Sequence, residues 1–188
     1  LIYWTERLLE LGSYILDERV RVLKEFRPVL RANAKQLFDA ELGSLDIDYE
    51  SKVTDFEGED GSKEIFAQKI KSGINKEISA KRTLYGPHRD DIIFTLNDKN
   101  IRIFGSRGQQ RLAALIFKLS MWFYLKDKLD VSPVLLLDDI FSELDAANSR
   151  KLENLLQELH TQILVTATEK YYLSEDFYKK GNKIELTD

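Results

Sequence analysis

Two adjacent aspartates, Asp138 and Asp139, are the first candidates for chemistry in this sequence. They follow the apolar run Val134 to Leu137, which is entered through a proline and is typical of a strand buried on both faces of a parallel sheet. Ligands of α/β proteins gather beyond the carboxyl ends of such strands. Adjacent carboxylates repel each other there unless a cation or a proton-transfer task compensates. The pair therefore predicts a site for magnesium and a reacting water, the alternative being a solvated acidic loop.

A second candidate site opens an apolar helix and reads Gly-Ser-Arg-Gly-Gln-Gln-Arg from 105 to 111. Ser106 is a suitable N-cap, and Gly108 lets backbone amides come close to a ligand at the positive end of the helix dipole. These features predict a phosphate contact. An ordinary capped core helix begins in the same way, so this segment does not decide its own function.

The elements that position these residues follow from periodicity. Apolar pairs recur every seven residues from Leu1 to about Phe38, which predicts one long helix, or two helices that meet near Pro28. Its other face carries four cations at three- and four-residue spacing, which either contact phosphates or are simply solvated: Lys24, Arg27, Arg31 and Lys35. Next come a half-exposed strand from Leu45 to Tyr49, a mobile loop from Asp55 to Ser62 and a helix from Lys63 to Lys81.

The polar turn Gly86 to Asp91 precedes two predicted strands, Ile92 to Leu96 and Ile101 to Phe104, joined as a hairpin. Beyond the aspartates, a helix is predicted from Ala146 to His160 and a buried strand from Ile163 to Val165. A last strand is predicted near Lys183 to Leu186. If the two buried strands are parallel, Thr166 and Thr168 end beside the aspartates, either to assist the site or as satisfied strand-end hydroxyls.

Composition narrows the function classes. The chain has 188 residues with 43% apolar content, a net charge of −4, two histidines and no cysteine. Thiolate metal sites and disulfides are excluded, any DNA contact must come from a local patch, and no apolar stretch approaches the roughly 20 residues that cross a bilayer. We expect a cytoplasmic protein without a membrane partner.

The order and spacing of three motifs resemble the second half of an ABC-type ATPase head. They are the Ser-x-Gly-Gln helix start, Leu-Leu-Leu-Asp-Asp about thirty residues later, and Ser-Glu-Leu-Asp after it. Gly-Pro-His-Arg-Asp-Asp at 86 to 91 and the doubled glutamine narrow the resemblance to the RecF family of bacterial recombination mediators. The implied fold is α/β, the carboxyl-terminal half of an ABC-type head with a parallel or mixed sheet flanked by helices. Residues 1–42 would end a helical lobe and residues 43–188 would belong to the ATPase lobe.

The resemblance also implies roles for residues of this chain. Asp138 would hold the Mg²⁺ that bridges the phosphates of ATP, and Asp139 would orient or deprotonate the attacking water. Four residues would bind the γ-phosphate of a nucleotide held by another subunit: Ser106, Arg107, Gly108 and Gln109. Asp145 would face that subunit across the dimer, whereas His88 and Arg89 receive no role.

The whole protein implied by the resemblance is a weak ATPase whose ATP-dependent homodimer binds single-stranded or gapped duplex DNA. It would act in DNA repair, replication restart and the SOS response, with mediator partners such as RecR and RecO. No Gly-x-x-x-x-Gly-Lys-Ser/Thr loop occurs, since Gly58 to Lys63 has the wrong spacing, so this half alone is expected to show no appreciable ATPase activity. Two other classes are alternatives: a non-catalytic interaction and dimerisation module, and a phospho-accepting receiver domain, for which too few residues follow the acidic pair.

Overall fold

The structure is a computed structural model that describes residues 2–53 and 62–185. The predicted mobile loop runs from Asp55 to Ser62, and its residues 55–61 lie outside the described residues. The helices are α1 (Ile2–Leu42), α2 (Ser62–Ala80), α3 (Ile101–Phe104), α4 (Arg107–Leu129), α5 (Ala146–Glu158) and α6 (Glu175–Lys180). The strands are β1 (Leu45–Glu50), β2 (Asp91–Leu96), β3 (Lys99–Asn100), β4 (Leu135–Leu137) and β5 (Ile163–Val165). None of the described helices is both long and apolar enough to span a membrane.

The chain forms two compact units. The first comprises Leu1–Arg31 and Ser44–Phe104, and the second comprises Ala32–Gly43 and Gly105–Asp188. The assignment of residues 1–42 to a helical lobe remains a prediction.

Helix α1 is continuous through Pro28, so the alternative of two helices meeting there is wrong. Of the seven-residue apolar pairs, the second members Leu16, Leu23 and Leu30 are buried, whereas Ile15 and Val22 are exposed. A straight helix turns once per 3.6 residues, so a doubled apolar position cannot keep both members on one narrow contact face.

The first unit contains an antiparallel sheet in the order β1-β2-β3. Leu45, Ile47 and Tyr49 are buried along β1, as the alternation predicted. The predicted second hairpin strand at Ile101 to Phe104 is wrong, because that segment is the short helix α3. Asn97 and Asp98 both adopt positive φ, as in a two-residue hairpin turn, so the return strand begins at Lys99. Asn100 Oδ1 then accepts the Arg102 amide at 2.9 Å, which favours a helix start over a longer strand.

Asp46 on β1 gathers two cations of the predicted α1 stripe. Its carboxylate accepts two bonds from Arg27, at 2.8 and 2.7 Å, and two from Arg31, at 2.9 and 2.5 Å. Burial alone would raise the pKa of Asp46, but the bonds from the two guanidinium groups outweigh it and hold the pKa well below its usual range. Two of the four stripe cations are therefore engaged by one carboxylate within the chain, which offsets one of their two positive charges.

We expect Asp46→Asn to lower the free energy of unfolding by about 2–3 kcal/mol at pH 7, because it leaves two arginines facing each other without their shared acceptor. Because the pKa of Asp46 is lower in the folded state than in the unfolded state, its contribution to stability is fully present above about pH 5 and is lost as the pH falls. The difference between the two proteins should therefore shrink toward pH 3 in urea titrations. Asp48→Asn, an exposed aspartate on the same strand, is the control and should change stability by less than about 0.5 kcal/mol. An Asp46→Asn protein as stable as the control at pH 7 would contradict this account.

In the second unit, β4 and β5 pair in parallel, with Leu135 opposite Ile163 and Leu137 opposite Val165. The parallel pairing confirms the predicted layer. The prediction that β4 is buried on both faces is wrong within the described residues. Leu135 and Leu137 are buried, but Leu136 is 65% exposed and Val134, just before the strand, is 50% exposed. Alternating strand residues point to opposite faces, and among the described residues only the face of Leu135 and Leu137 is covered.

The predicted last strand is also not formed. Residues 182–185 have no regular structure, and Leu186 lies outside the described residues. The turn Lys170–Tyr172 and α6 precede this segment, and Ser174 caps α6 through its side chain, which accepts the Phe177 amide.

Candidate functional site

The two candidate acids lie immediately beyond β4, and Thr166 lies immediately beyond the neighbouring strand β5. The parallel ladder continues one step past the strands, since the Thr166 amide donates to the Leu137 carbonyl at 2.9 Å. This register places the threonine hydroxyl beside both acids, as expected where adjacent parallel strands end at one edge.

Thr166 bridges the two aspartates through one oxygen. Its hydroxyl donates to Asp138 Oδ1 at 2.5 Å and accepts the backbone amide of Asp139 at 2.9 Å. Asp139 itself has φ 47 and ψ 25, the left-handed conformation that aspartate and asparagine adopt more readily than most residues. The hydroxyl thus fixes the backbone at the point where the chain turns out of the strand.

The Asp139 carboxylate is held on both of its oxygens. Ser142 Oγ lies 2.9 Å from Oδ2 and 2.8 Å from the Asp139 carbonyl, so its single proton is shared between two acceptors. On the other side, the Thr168 amide and hydroxyl lie 3.4 and 3.5 Å from Oδ1. These longer contacts orient the carboxylate but leave it able to accept a hydrogen bond, or a proton, from a water molecule.

Asp138 is exposed, and only its Oδ1 is engaged by Thr166. No group of three or more metal-ligating side chains occurs among the described residues. Mg²⁺ is commonly held in phosphoryl-transfer sites through one or two carboxylates together with substrate phosphates and water. The exposed oxygen-only donor set therefore fits a magnesium ion that arrives with a nucleotide.

The helix start at Ser106 forms a complete capping box. Ser106 Oγ accepts the Gln109 amide at 3.2 Å, and Gln109 Oε1 accepts the Ser106 amide at 2.9 Å. The sequence predicted the serine cap but missed the reciprocal role of Gln109, for which the Ser-x-x-Gln spacing was a readable signal. Helix geometry leaves the amides of Arg107 and Gly108 without intrahelical partners.

Gly108 faces open space, because a Cβ built on it would meet nothing within 4 Å. Ser106, Arg107 and Gly108 are all exposed. The exposed first turn of α4 thus carries two amides without intrahelical partners beside the Ser106 hydroxyl and Arg107, and the space in front of Gly108 is open among the described residues. Such a helix start can accept an anion from outside the chain.

Asp145 caps α5 with unusual completeness. It accepts the amides of Ala147 and Asn148 and the Asn148 side-chain amide, each at 2.9 Å. The Asn148 backbone amide is the main cause of a lowered Asp145 pKa. Asn148 Oδ1 is buried without a hydrogen-bond partner among the described residues. The sequence analysis did not predict a role for Asn148, although an asparagine three residues after an N-cap aspartate can bond back to it.

The structure brings the predicted residues together in two groups. Asp138 and Asp139 share one network with Thr166, Thr168 and Ser142, whereas Ser106 and Gln109 bond to each other. Arg111 Nε lies 3.4 Å from Glu143 Oε1, which connects the start of α4 with the turn after the aspartates. Both side chains are largely exposed, so this ion pair contributes little stability.

Comparisons with known proteins place this geometry in context. No protein-family model matches the chain. It is 38% identical over 175 residues to the DNA replication and repair protein RecF of Halothermothrix orenii, covering 92% of this chain and 46% of that protein. It is also 38% identical over 164 residues to RecF of Ligilactobacillus salivarius, covering 86% of this chain and 43% of that protein. The chain spans about half the length of the curated relatives it matches.

Solved structures give the same family. The structure of the recombination mediator protein RecF-ATP in the RecFOR pathway matches with a TM-score of 0.75 at 27% identity, over 88% of this chain and 44% of that one. The corresponding RecF-ATPrS structure matches with a TM-score of 0.74 at 25% identity, over 90% and 45%. The α/β fold of an ABC-type ATPase head is thereby confirmed.

Proposed function

Because this chain corresponds to the carboxyl-terminal part of RecF proteins, we propose that it contributes half of a composite ATP site to a DNA-binding recombination mediator. The observation that carries the proposal is the network of Asp138, Asp139 and Thr166 at the ends of two parallel strands. The structural relatives, named as RecF-ATP and RecF-ATPrS complexes, support ATP as the nucleotide.

Asp138 would hold Mg²⁺ through the oxygen that Thr166 leaves free. A Mg²⁺ ion bound there would supply positive charge that stabilises the phosphates during phosphoryl transfer. The hydroxyl of Thr166 holds Asp138 Oδ1 in place, so that Oδ2 is the oxygen available to the cation.

Asp139 would orient or deprotonate the water that attacks the γ-phosphate. Ser142 and Thr168 restrict its carboxylate from opposite sides, which is the positioning that general-base catalysis requires. Aspartate reaches less far than the glutamate found at this place in many ABC-type heads, so slow hydrolysis is expected.

The exposed helix start would bind a γ-phosphate held by a second subunit. Ser106 and Gln109 shape the first turn through the capping box, while Arg107 and the amide of Gly108 supply positive charge and a donor. Asp145 would stand at the same interface, held rigid by its three bonds to the start of α5.

ATP would act as a switch in the intact protein. Nucleotide binding shifts the monomer–dimer equilibrium only if the dimer binds it more tightly, and a site completed by residues from both subunits provides that difference. We infer that the dimer grips single-stranded or gapped duplex DNA during repair and replication restart, that hydrolysis releases it, and that RecR and RecO are partners.

Light scattering of the full-length protein tests this function. With ATP and Mg²⁺ the mass should double, whereas ADP or ATP with EDTA should leave a monomer. The same mass in all three conditions would reject the switch and favour the alternative of a non-catalytic interaction module.

A further inference from the structure

The segment Lys63–Arg89, formed by α2 and the turn that follows it, is strongly basic. It carries seven lysines and arginines against two glutamates, a net charge of +5 in a chain whose total is −4. The cations are Lys63, Lys69, Lys71, Lys76, Lys81, Arg82 and Arg89, and we call them the α2 basic surface. All seven side chains are exposed, and within residues 2–53 and 62–185 none of them forms an ion pair.

The two acids of this segment do not cancel the charge. Glu77 turns back to the chain, where its Oε1 accepts the Leu84 amide at 2.7 Å. Glu77 keeps its charge in this bond, and Glu64 lies in the first turn of α2, where it complements the helix dipole; both acids are included in the net charge of +5. The acids at positions 55, 57, 59 and 60 lie outside the described residues, and the charge count does not include them.

This surface differs from the cationic stripe of α1. There Arg27 and Arg31 are both engaged by Asp46, so a phosphate would have to compete with a partly buried carboxylate. On α2 a phosphate would replace only water and counterions. Release of counterions from nucleic acid is the main source of such affinity.

The turn after α2 is fixed in place before any ligand arrives. Arg19 Nη1 donates to the Pro87 carbonyl at 2.6 Å, and the Arg89 amide donates to the Gly86 carbonyl at 2.9 Å. Thr83 Oγ1 and His88 Nε2 lie 2.8 Å apart, which joins the end of α2 to the turn. Gly86 has φ 124 and is packed against Phe66, so a side chain there would be strained and crowded. A preformed turn presents Arg89 at little ordering cost.

We propose that the α2 basic surface contacts the phosphate backbone of duplex DNA. Lys69 and Lys76 are seven residues apart on α2, so they lie on one side of the helix about 10 Å apart, and each can contact a phosphate of the same backbone. Exposed Gln68 and Asn75 supply the neutral donors that accompany such contacts. The only phenylalanine and tyrosine side chains of the segment are Phe66, which is buried, and Tyr85, whose ring lies against Gly73. The His88 imidazole is the one exposed ring of the segment, so base stacking is limited and the surface suits a duplex better than a single strand.

The proposal rests on the DNA-binding function above and names the surface that performs it. Its test is fluorescence anisotropy of the full-length protein with ATP, Mg²⁺ and a labelled duplex of about 30 base pairs, over a series of salt concentrations. The double variant Lys69→Gln/Lys76→Gln should bind at least about tenfold more weakly near 0.1 M salt, and the slope of log K against log salt should fall by about 2. The variant Arg82→Gln/Arg89→Gln should behave alike.

The matched control is Lys179→Gln/Lys180→Gln, which removes two exposed lysines from α6 that pair with Glu175 and Asp176. It should leave both affinity and slope unchanged. An unchanged slope in the α2 variants, or an equal loss in the control, would overturn the proposed surface while leaving the DNA-binding function intact. A loss seen only with a single strand of the same length would also overturn it. If the unsubstituted protein bound no duplex at all, the proposed function itself would fail.

Discussion

Asp139→Asn in the full-length protein is expected to lower the ATP turnover rate by about 10²- to 10³-fold, because it removes the carboxylate proposed to activate the attacking water. Folding should be preserved. Asparagine adopts the left-handed conformation that Asp139 occupies, and its amide oxygen can still accept one of the bonds from Ser142 or Thr168. ATP-dependent dimerisation should persist and outlast that of the unsubstituted protein, since binding remains while hydrolysis is slow.

Phosphate release measured at saturating ATP, together with light scattering over time, separates these effects. Asp127→Asn is the matched control, because it removes the same charge from an exposed aspartate on α4 and should leave turnover within about twofold. Turnover in Asp139→Asn that stays close to that of the control would refute the catalytic assignment. A variant that neither hydrolyses nor dimerises would instead place Asp139 in nucleotide binding.

Ser106→Arg is expected to abolish ATP-dependent dimerisation of the full-length protein. The substitution places a long cation on the exposed surface where Ser106 and Gly108 leave room for an incoming phosphate. It also removes the N-cap of α4, which costs about 1 kcal/mol of stability and by itself would not prevent assembly. Light scattering with ATP and Mg²⁺ should show a monomer at concentrations where the unsubstituted protein is a dimer.

Two further variants distinguish the blocked surface from the lost cap. Ser174→Arg makes the same change at the N-cap serine of α6, whose hydroxyl accepts the Phe177 amide at 3.2 Å, and should still dimerise. Ser106→Ala removes the cap without adding bulk and should weaken dimerisation less than Ser106→Arg does. Full dimerisation of Ser106→Arg would show that this helix start lies outside the interface.

Much of the candidate site follows from local sequence. The apolar run before Asp138 predicts a strand, and the spacing of Ser106 and Gln109 predicts a capped helix, because both patterns depend on residues only a few positions apart. The parallel pairing of β4 with β5 was also predictable, since a helix between two short apolar runs favours a parallel crossover. The position of Thr166 and Thr168 near the aspartates therefore follows from the sequence.

Other features depend on partners far away in the chain, which periodicity does not identify. The engagement of Arg27 and Arg31 needs Asp46 on a different element, so only the tertiary structure shows that these two cations of the stripe already have a partner, whereas the lysines of α2 form no ion pair among the described residues. The exposed face of Leu136 likewise depends on what covers the sheet rather than on the strand itself. Local residue types determined that two acids would stand at a strand end. The register with β5, and with it the hydroxyl that joins those acids, was decided by tertiary packing.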